Sequence, residues 1–305
     1  MNKLNPKVSI GLPVFNGEKY LKKCLDSLLS QTFKDFEIII SDNCSTDATE
    51  DICHDYIKLD SRVRYHRNNQ NLGASENFNI TFKLSKGIYF KWAAYDDVCA
   101  PRFLDECVRI LDCKPDVVLV HSRTKFIDSF DQDIGFYNGI PKTNSIDPVV
   151  RFADLLLGNP CYEVFGLIRY DILKKTPLMG DYANGDGVLL SRLAMLGRFE
   201  EINEYLFMSR RHDEQSISML NDFRKYSIWF NPKLRGNILF PHWKMQMEFA
   251  RSINNSNPDT IQKYKCYKHL YWNSLINKEK LIKDIKNQAN EIKRTYFSKT
   301  LDRYI

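Results

Sequence analysis

Phe36-Glu-Ile-Ile-Ile-Ser-Asp-Asn-Cys-Ser-Thr-Asp-Ala-Thr49 is the stretch that decides the fold. The apolar run from Phe36 to Ser41 suits a strand buried on both faces and is too short for a core helix. Directly behind it stand Asp42, Asn43, Ser45 and Asp47, whose short oxygen-bearing side chains turn a chain and cap a helix. The segment from Asp47 to Leu59 reads as that helix. A strand passing through a polar turn into a helix is half of a βαβ unit, and such units build parallel sheets.

The same unit recurs on both sides of this stretch. Upstream, Val8-Ser-Ile-Gly-Leu-Pro-Val14 reads as a strand, followed from Glu18 to Ser30 by a helix with Tyr20, Leu21, Cys24, Leu25, Leu28 and Leu29 on one face. Downstream, strands are expected at Val63 to His66, Tyr89 to Ala93 and Val117 to Ser122, with helices at Gly73 to Leu84 and Pro101 to Leu111. This alternation predicts an α/β fold, a mainly parallel open sheet with helices on both faces. Asp128 to Pro148 reads as a loop excursion; order resumes at Val149 to Leu157, at the strand-like Tyr162 to Arg169 and at a helix from Gly187 to Leu196. Near Ser216 the texture changes to segments rich in Trp, Tyr and Lys, punctuated by Pro232, Pro241 and Pro258. Residues 1–215 are therefore expected to form one domain, and 216–305 a helical, basic C-terminal extension.

With 305 residues, 43% hydrophobic and 13% aromatic, the chain can bury a large core, which excludes disorder. No apolar run approaches the ~18 residues of a membrane span. Met1 to Lys7 lacks an apolar signal segment, so a cytoplasmic protein is expected. The eight cysteines form no C-x-x-C pair and read as inert buried thiols rather than zinc ligands or disulfides. The net charge of +6 is uneven: between Ser274 and Lys299 seven Lys or Arg face three acids. A basic excess confined to one tail argues against nucleic-acid binding.

In open α/β sheets ligands gather beyond the carboxyl ends of the strands. Three such ends are polar here: Pro13-Val-Phe-Asn-Gly-Glu18, Ser41 to Asp47, and Ala94-Tyr-Asp-Asp97. Asp42 could accept hydrogen bonds from a nucleobase or organise its own turn, and the residues alone leave both open. Ser45 and Asp47 are caps for the next helix. Asp96 and Asp97 are adjacent carboxylates, costly unless a cation shares them; a hard divalent ion holding a diphosphate would serve, as would a helix N-terminus. Asp186, in Gly185-Asp-Gly187 before an apolar helix, reads by itself as a cap, and His212 as a metal or phosphate ligand or a surface histidine.

Taken in order, these segments resemble the family 2 inverting glycosyltransferases, which have the Rossmann-related nucleotide-diphospho-sugar transferase (GT-A) fold. The likeness is carried by Ser9 to Glu18, Phe36 to Thr49, Asn71-Leu-Gly-Ala-Ser75 with Asn77, Tyr89 to Asp97 with Pro101, Gly185-Asp186, Arg192 to Phe199 and Arg210-Arg-His212. It implies a nucleotide site at Pro13, Phe15, Asn16, Glu18, Asp42, Asn71, Asn77 and Tyr95, with Asp42 on the base. It implies a divalent metal, Mn2+ or Mg2+, at Asp96, Asp97 and His212, and Asp186 as catalytic base. The implied donor is a UDP-sugar, the acceptor a glycan or lipid-linked hydroxyl, and the reaction a single displacement with inversion. One departure stands out: Ala94 replaces the first acid of the family's D-x-D motif, which raises the alternative of a non-catalytic nucleotide-sugar or glycan-binding protein of the same fold.

In the tail, Trp272, Leu275, Ile276, Ile282, Ile285, Ala289, Ile292 and Tyr296 recur as one helical stripe, with Lys280, Lys283, Lys286, Lys293 and Arg294 largely off it. Such a basic amphipathic helix packs against the catalytic domain or a second subunit in a homodimer, or it lies through residues 272–297 on the anionic inner face of a membrane, making the protein peripheral there.

Overall fold

The computed structural model describes residues 5–301 apart from 140, 141, 159 and 214. Four strand-helix units come first: β1 (Val8–Val14) with α1 (Leu21–Leu29), β2 (Phe36–Asp42) with α2 (Thr49–Leu59), β3 (Val63–Arg67) with α3 (Ala74–Lys83), then β4 (Tyr89–Trp92), the short β5 (Val98–Cys99) and α4 (Phe103–Cys113). Next come β6 (Val117–Ile127), β7 (Asp133–Phe136), α5 (Pro148–Leu155), β8 (Leu167–Arg169), α6 (Tyr170–Leu173), α7 (Gly185–Leu196) and β9 (Arg198–Arg210). The remainder is helical: α8 (Phe223–Phe230), α9 (Pro241–Asn255), α10 (Thr260–Ile276) and α11 (Lys278–Leu301).

The sheet runs β3-β2-β1-β4-β8-β6-β9-β5, with β7 attached to β6. Its first four strands are parallel, as the alternation predicts. Beyond β4 the sheet is mixed: β8 lies antiparallel to both β4 and β6, β6 and β9 run parallel, and β5 and β7 pair antiparallel at the margins. Hydrophobic period sets a strand's burial and not its direction, so this half shows only in three dimensions.

Every residue of β1 and β2 is buried, and α1 covers one face with Leu21, Cys24, Leu25 and Leu28. On the other face α3 approaches β1 so closely that a Cβ at Gly11 would lie 2.3 Å from Thr81 Oγ1; only glycine fits there. Helix α7 is buried on nearly all sides because it serves two apolar clusters, giving Leu189, Leu190 and Leu193 to the core behind the sheet and Val188 to a helical layer with α5, α9 and α10. The cysteines are free thiols, six of them buried, and burial pushes Cys53 up to about 12 and Cys266 to about 11, which keeps them unreactive.

Two findings concern the C-terminal third. Tyr226 and Phe230 of α8 sit in the same cluster as Phe90 and Trp92 of the sheet, so the change of texture near residue 216 marks the chain's passage over the strand ends while the core continues through it. In the tail, α10 stops at Ile276 and α11 begins at Lys278, and the buried positions are Cys266, Leu270, Asn273, Leu281, Asp284 and Gln288. Trp272, Leu275, Ile276, Ile282, Ile285 and Ala289 face outward, so the described part of the stripe does not pack on the catalytic domain; the side chains of Ile292 and Tyr296 lie outside the described ones. Among the described residues no helix is long and apolar enough to cross a membrane.

Candidate active site

The turns after β1 and β2 are laced together. Asn16 N–H donates to Ser45 Oγ (2.9 Å) and Asn16 Oδ1 accepts from Thr46 N–H (2.9 Å); Glu18 N–H donates to Asp47 Oδ2 (3.0 Å), and Glu18 Oε2 accepts from Ala48 N–H (2.8 Å). Asn16 adopts the left-handed conformation (φ 51°), which asparagine tolerates better than most residues. Burial works against the Asp47 carboxylate, yet hydrogen bonds from Thr49 and Glu18 outweigh it and hold the carboxyl below its ordinary value. Asp47 Oδ1 accepts from Thr49 N–H (3.0 Å) at the start of α2, although Ala48 is the residue at the N-cap; Ser45, expected as a second cap, instead accepts from Asn16, and Glu18 fastens the two turns together.

Beside these turns opens a cleft of about 990 Å³. Pro13 lines it from the end of β1 and Phe15, Asn16 and Glu18 from the turn after it, Asn71 and Asn77 from the region of α3, Tyr95 and Asp96 from the turn after β4, and Asp186 from the first turn of α7. The far wall is α8, through Lys225, Tyr226 and Trp229, continued by Pro232 and Arg235. Nothing in the sequence beyond its aromatic density pointed to that wall. The two asparagines serve also as staples: Asn71 Oδ1 accepts from Asn43 Nδ2 (2.9 Å), and Asn77 Nδ2 donates to Ser41 O (2.9 Å) while its Oδ1 accepts from Ser41 Oγ (2.7 Å).

Asp42 is fully buried and does not line the cleft; Asn43 takes that position. Its Oδ1 accepts from Ser45 N–H (2.8 Å) and its Oδ2 from Tyr65 OH (2.8 Å) and Arg67 Nη1 (2.7 Å), contacts that organise its own turn.

Asp96 and Asp97 part company across a turn, in which Asp97 N–H donates to Ala94 O (3.3 Å). Asp96 Oδ2 faces the cleft and lies 2.9 Å from His212 Nε2. Asp97 turns inward, where its Oδ1 accepts from Arg210 N–H (2.8 Å); burial, and then the charge of Asp96, push its carboxyl well up toward the neutral form. The like charges are thus relieved by burial of one partner instead of by a cation shared between the two. Among the described residues no three His, Cys, Asp or Glu side chains gather into a metal cage. What is offered is the Asp96 carboxylate with the His212 imidazole behind it, and among the described residues the buried His212 Nδ1 has no hydrogen-bond partner. That pair fits an ion of the magnesium or manganese class, which needs few protein ligands when a diphosphate brings oxygens.

Arg210 holds this corner together. Fully buried, it donates from Nε to Asp96 O (2.8 Å) and from Nη1 to Asp128 O (2.8 Å), pairs through Nη2 with Asp131 Oδ1 (2.6 Å), and stacks 4.6 Å above the Tyr20 ring, which in turn lies 4.9 Å from His212. In the Arg210-Arg-His212 run the first arginine is the structural centre, a role visible only once Asp96, Asp128 and Asp131 meet.

Asp186 lies half-buried in the first turn of α7, behind Asn184 in the left-handed conformation. Its Oδ1 accepts from Gly187 N–H (2.9 Å), and burial raises its carboxyl above the ordinary value despite that bond.

The fold is shared with solved glycosyltransferases. The structure of Staphylococcus aureus TarS 1–349 with UDP-GlcNAc matches with a TM-score of 0.64 at 16% identity, over 92% of this chain and 80% of that one. Mannosyltransferase PcManGT of Pyrobaculum calidifontis, in complex with GDP-Man and Mn2+, matches with a TM-score of 0.59 at 13% identity, over 93% and 74%. Sheet and helices therefore share the GT-A type of fold. In sequence, an uncharacterized glycosyltransferase of Rickettsia typhi is 34% identical over 241 residues, 75% of this chain and 72% of that protein. A Bacillus subtilis protein named as a glycosyltransferase, EpsH, is 34% identical over 146 residues, 46% of this chain but only 42% of its own length. The profile of glycosyl transferase family 2 matches residues 9–174, and the chain belongs to that family. That family is one of enzymes, which weighs against the non-catalytic alternative raised by Ala94.

Proposed function

We propose that the chain is an inverting glycosyltransferase that moves a sugar from a nucleoside-diphosphate donor, a UDP-sugar, to a hydroxyl of a glycan or lipid-linked acceptor, with Asp186 as general base. The observation that carries this reading is that Asp186, its carboxyl raised by burial, lines the same cleft as Asp96 with its His212 partner. A carboxylate of raised pKa is the stronger base toward a hydroxyl. Asp186 takes the acceptor's proton as the acceptor oxygen bonds to the anomeric carbon. The bond to the diphosphate breaks on the opposite face, its electron pair leaves with the nucleoside diphosphate, and the anomeric configuration inverts.

Asp96 and His212 would hold a divalent cation, Mn2+ or Mg2+, which supplies charge neutralisation for the departing diphosphate. With Ala94 in place of an acid, the imidazole becomes the second protein donor. Phe15 and Tyr95 would bound the nucleoside end of the cleft, the buried Asn77 would hold the strand ends beside it through Ser41 as Asn71 does through Asn43, and Asp42 acts at one remove by fixing the turn that presents Asn43. TarS and PcManGT carry UDP-GlcNAc and GDP-Man in their structures, which supports the donor class and leaves its base and sugar to experiment.

Product formation from a panel of nucleotide sugars, with and without manganese, tests the reading. Asp186→Asn should keep donor-induced thermal stabilisation and lose ~100 to 10,000-fold in transfer. Near-normal turnover in that variant removes Asp186 from the chemistry.

A further inference from the structure

The outward face of α10 carries Ile261, Tyr264, Tyr271, Trp272, Leu275 and Ile276, each between 39% and 71% exposed. Their spacing keeps them on the side of the helix opposite Cys266, Leu270 and Asn273, which pack inward. Ile282 and Ile285 of α11 extend the apolar surface past the break at Asn277. Isolated apolar residues on a surface need no explanation, but a helix face of about four turns that is aromatic or branched except for Lys268, carried on into the next helix, marks an interaction site.

The charges around this face say what kind of partner it fits. Lys263, Lys265, Lys268, Lys278, Lys280, Lys283 and Lys286 are all exposed, and among the described residues none of them enters an ion pair. The acids of residues 260–289 are Glu279 and Asp284, and Asp284 is turned inward, accepting from His242 N–H (2.8 Å) and lying 2.9 Å from His242 Nδ1. The outward surface is therefore basic as well as apolar. A second copy docked on the same face would set lysines against lysines. Tyrosine and tryptophan seat their rings at the level of lipid headgroups, with lysines reaching the phosphates around them.

We propose that the outward face of α10, continued by Ile282 and Ile285, docks on an anionic lipid surface. Helix α10 packs on α9 and α5, and both pack on α7, whose first turn bears Asp186. Docking therefore holds the cleft at a fixed attitude to the lipid. That it brings the cleft to a lipid-linked acceptor rests on the proposed transferase reaction; the docking itself does not.

The test is sedimentation of the full chain with vesicles of phosphatidylcholine alone and of phosphatidylcholine mixed with phosphatidylglycerol. Binding to the mixed vesicles only, released by raised salt, is the expected result. Lys265→Glu with Lys268→Glu, and separately Tyr271→Ser with Trp272→Ser and Ile276→Ser, should each weaken binding about ten-fold or more with an unchanged melting temperature, since all these side chains are exposed. A wild-type chain that stays in the supernatant at low salt, or variants that bind as the wild type does, overturns the proposal. So does sedimentation velocity showing a dimer that the serine variant disperses, which makes the face a contact between copies. Vesicle binding needs no turnover, so Asp186→Asn should sediment like the wild type, and loss of the transferase reading leaves this result standing.

Discussion

Burial raises two carboxyls of this site, Asp97 and Asp186, and the two are put to opposite use. Asp97 faces Arg210 N–H inside the protein, where a neutral acid and a charged one serve equally as acceptor. Asp97→Asn should therefore be tolerated with Oδ1 still accepting, whereas Asp97→Ala orphans a buried N–H and should cost ~1 to 3 kcal/mol by urea unfolding. Asp186 must ionise to act, and its raised carboxyl gives the stability effect a definite sign. The native state holds that proton more tightly than the unfolded chain, so stability falls as pH rises from the unfolded value through the folded one. Asp186→Asn should melt higher than the wild type at pH 8 and equal it in strong acid, and the wild-type rate should fall on the acid side above the pH expected of an ordinary aspartate. Equal melting of the two proteins at both pH values would count against the raised carboxyl. Arg210 sets a third expectation: lysine cannot reproduce its fork, so Arg210→Lys should raise the manganese concentration needed for half-maximal transfer more than it changes the donor KM.

At the scale of elements, the cleft is made of strand ends on one side and α8 on the other. Trp229, half-buried and stacked on Tyr226 with centroids 5.8 Å apart, faces that space. Trp229→Ala should weaken donor or acceptor binding about ten-fold, read as KM, and leave the acid limb set by Asp186 where it is. The strand ends were legible in the sequence because each strand, turn and helix is local, and Phe36 to Ser41 and Val8 to Val14 are apolar throughout. β7 is hidden in the sequence because it is only four residues long and lies inside the polar, Gly- and Pro-containing stretch from Asp128 to Pro148. The antiparallel placement of β8 was equally hidden, since Leu167–Arg169 says nothing of its direction. That Pro13, Phe15, Asn16, Glu18, Asn71, Asn77, Tyr95, Asp96 and Asp186 line one cleft agrees with their places after strands or at a helix start, while their roles belong to the proposed function. The inward turn of Asp97 and the enclosure of Asp42 were not legible, because their partners Arg210, Tyr65 and Arg67 come from other elements.

Across the whole molecule, the last three helices form a layer behind α7. Asp284 of α11 accepts the N–H of His242 at the start of α9, and Trp243 Nε1 donates to Leu281 O (3.1 Å), so α11 clamps α9. Asp284→Ala should cost ~1 kcal/mol, the usual worth of a capping carboxylate, by denaturant unfolding. Removing α10 as well would bare Phe249 and Ile253 and should yield aggregate instead of a trimmed enzyme. The cleft itself spans the chain: Phe15 stands on one wall and Trp229 on the other. A ribosome adding about 5 to 20 residues per second needs roughly 10 to 40 s to pass from the first wall to the second. Through that interval the growing polypeptide already carries its first strand ends yet has no enclosed site, so on this account the nascent enzyme cannot draw on the cell's sugar nucleotides until its far wall has left the exit tunnel.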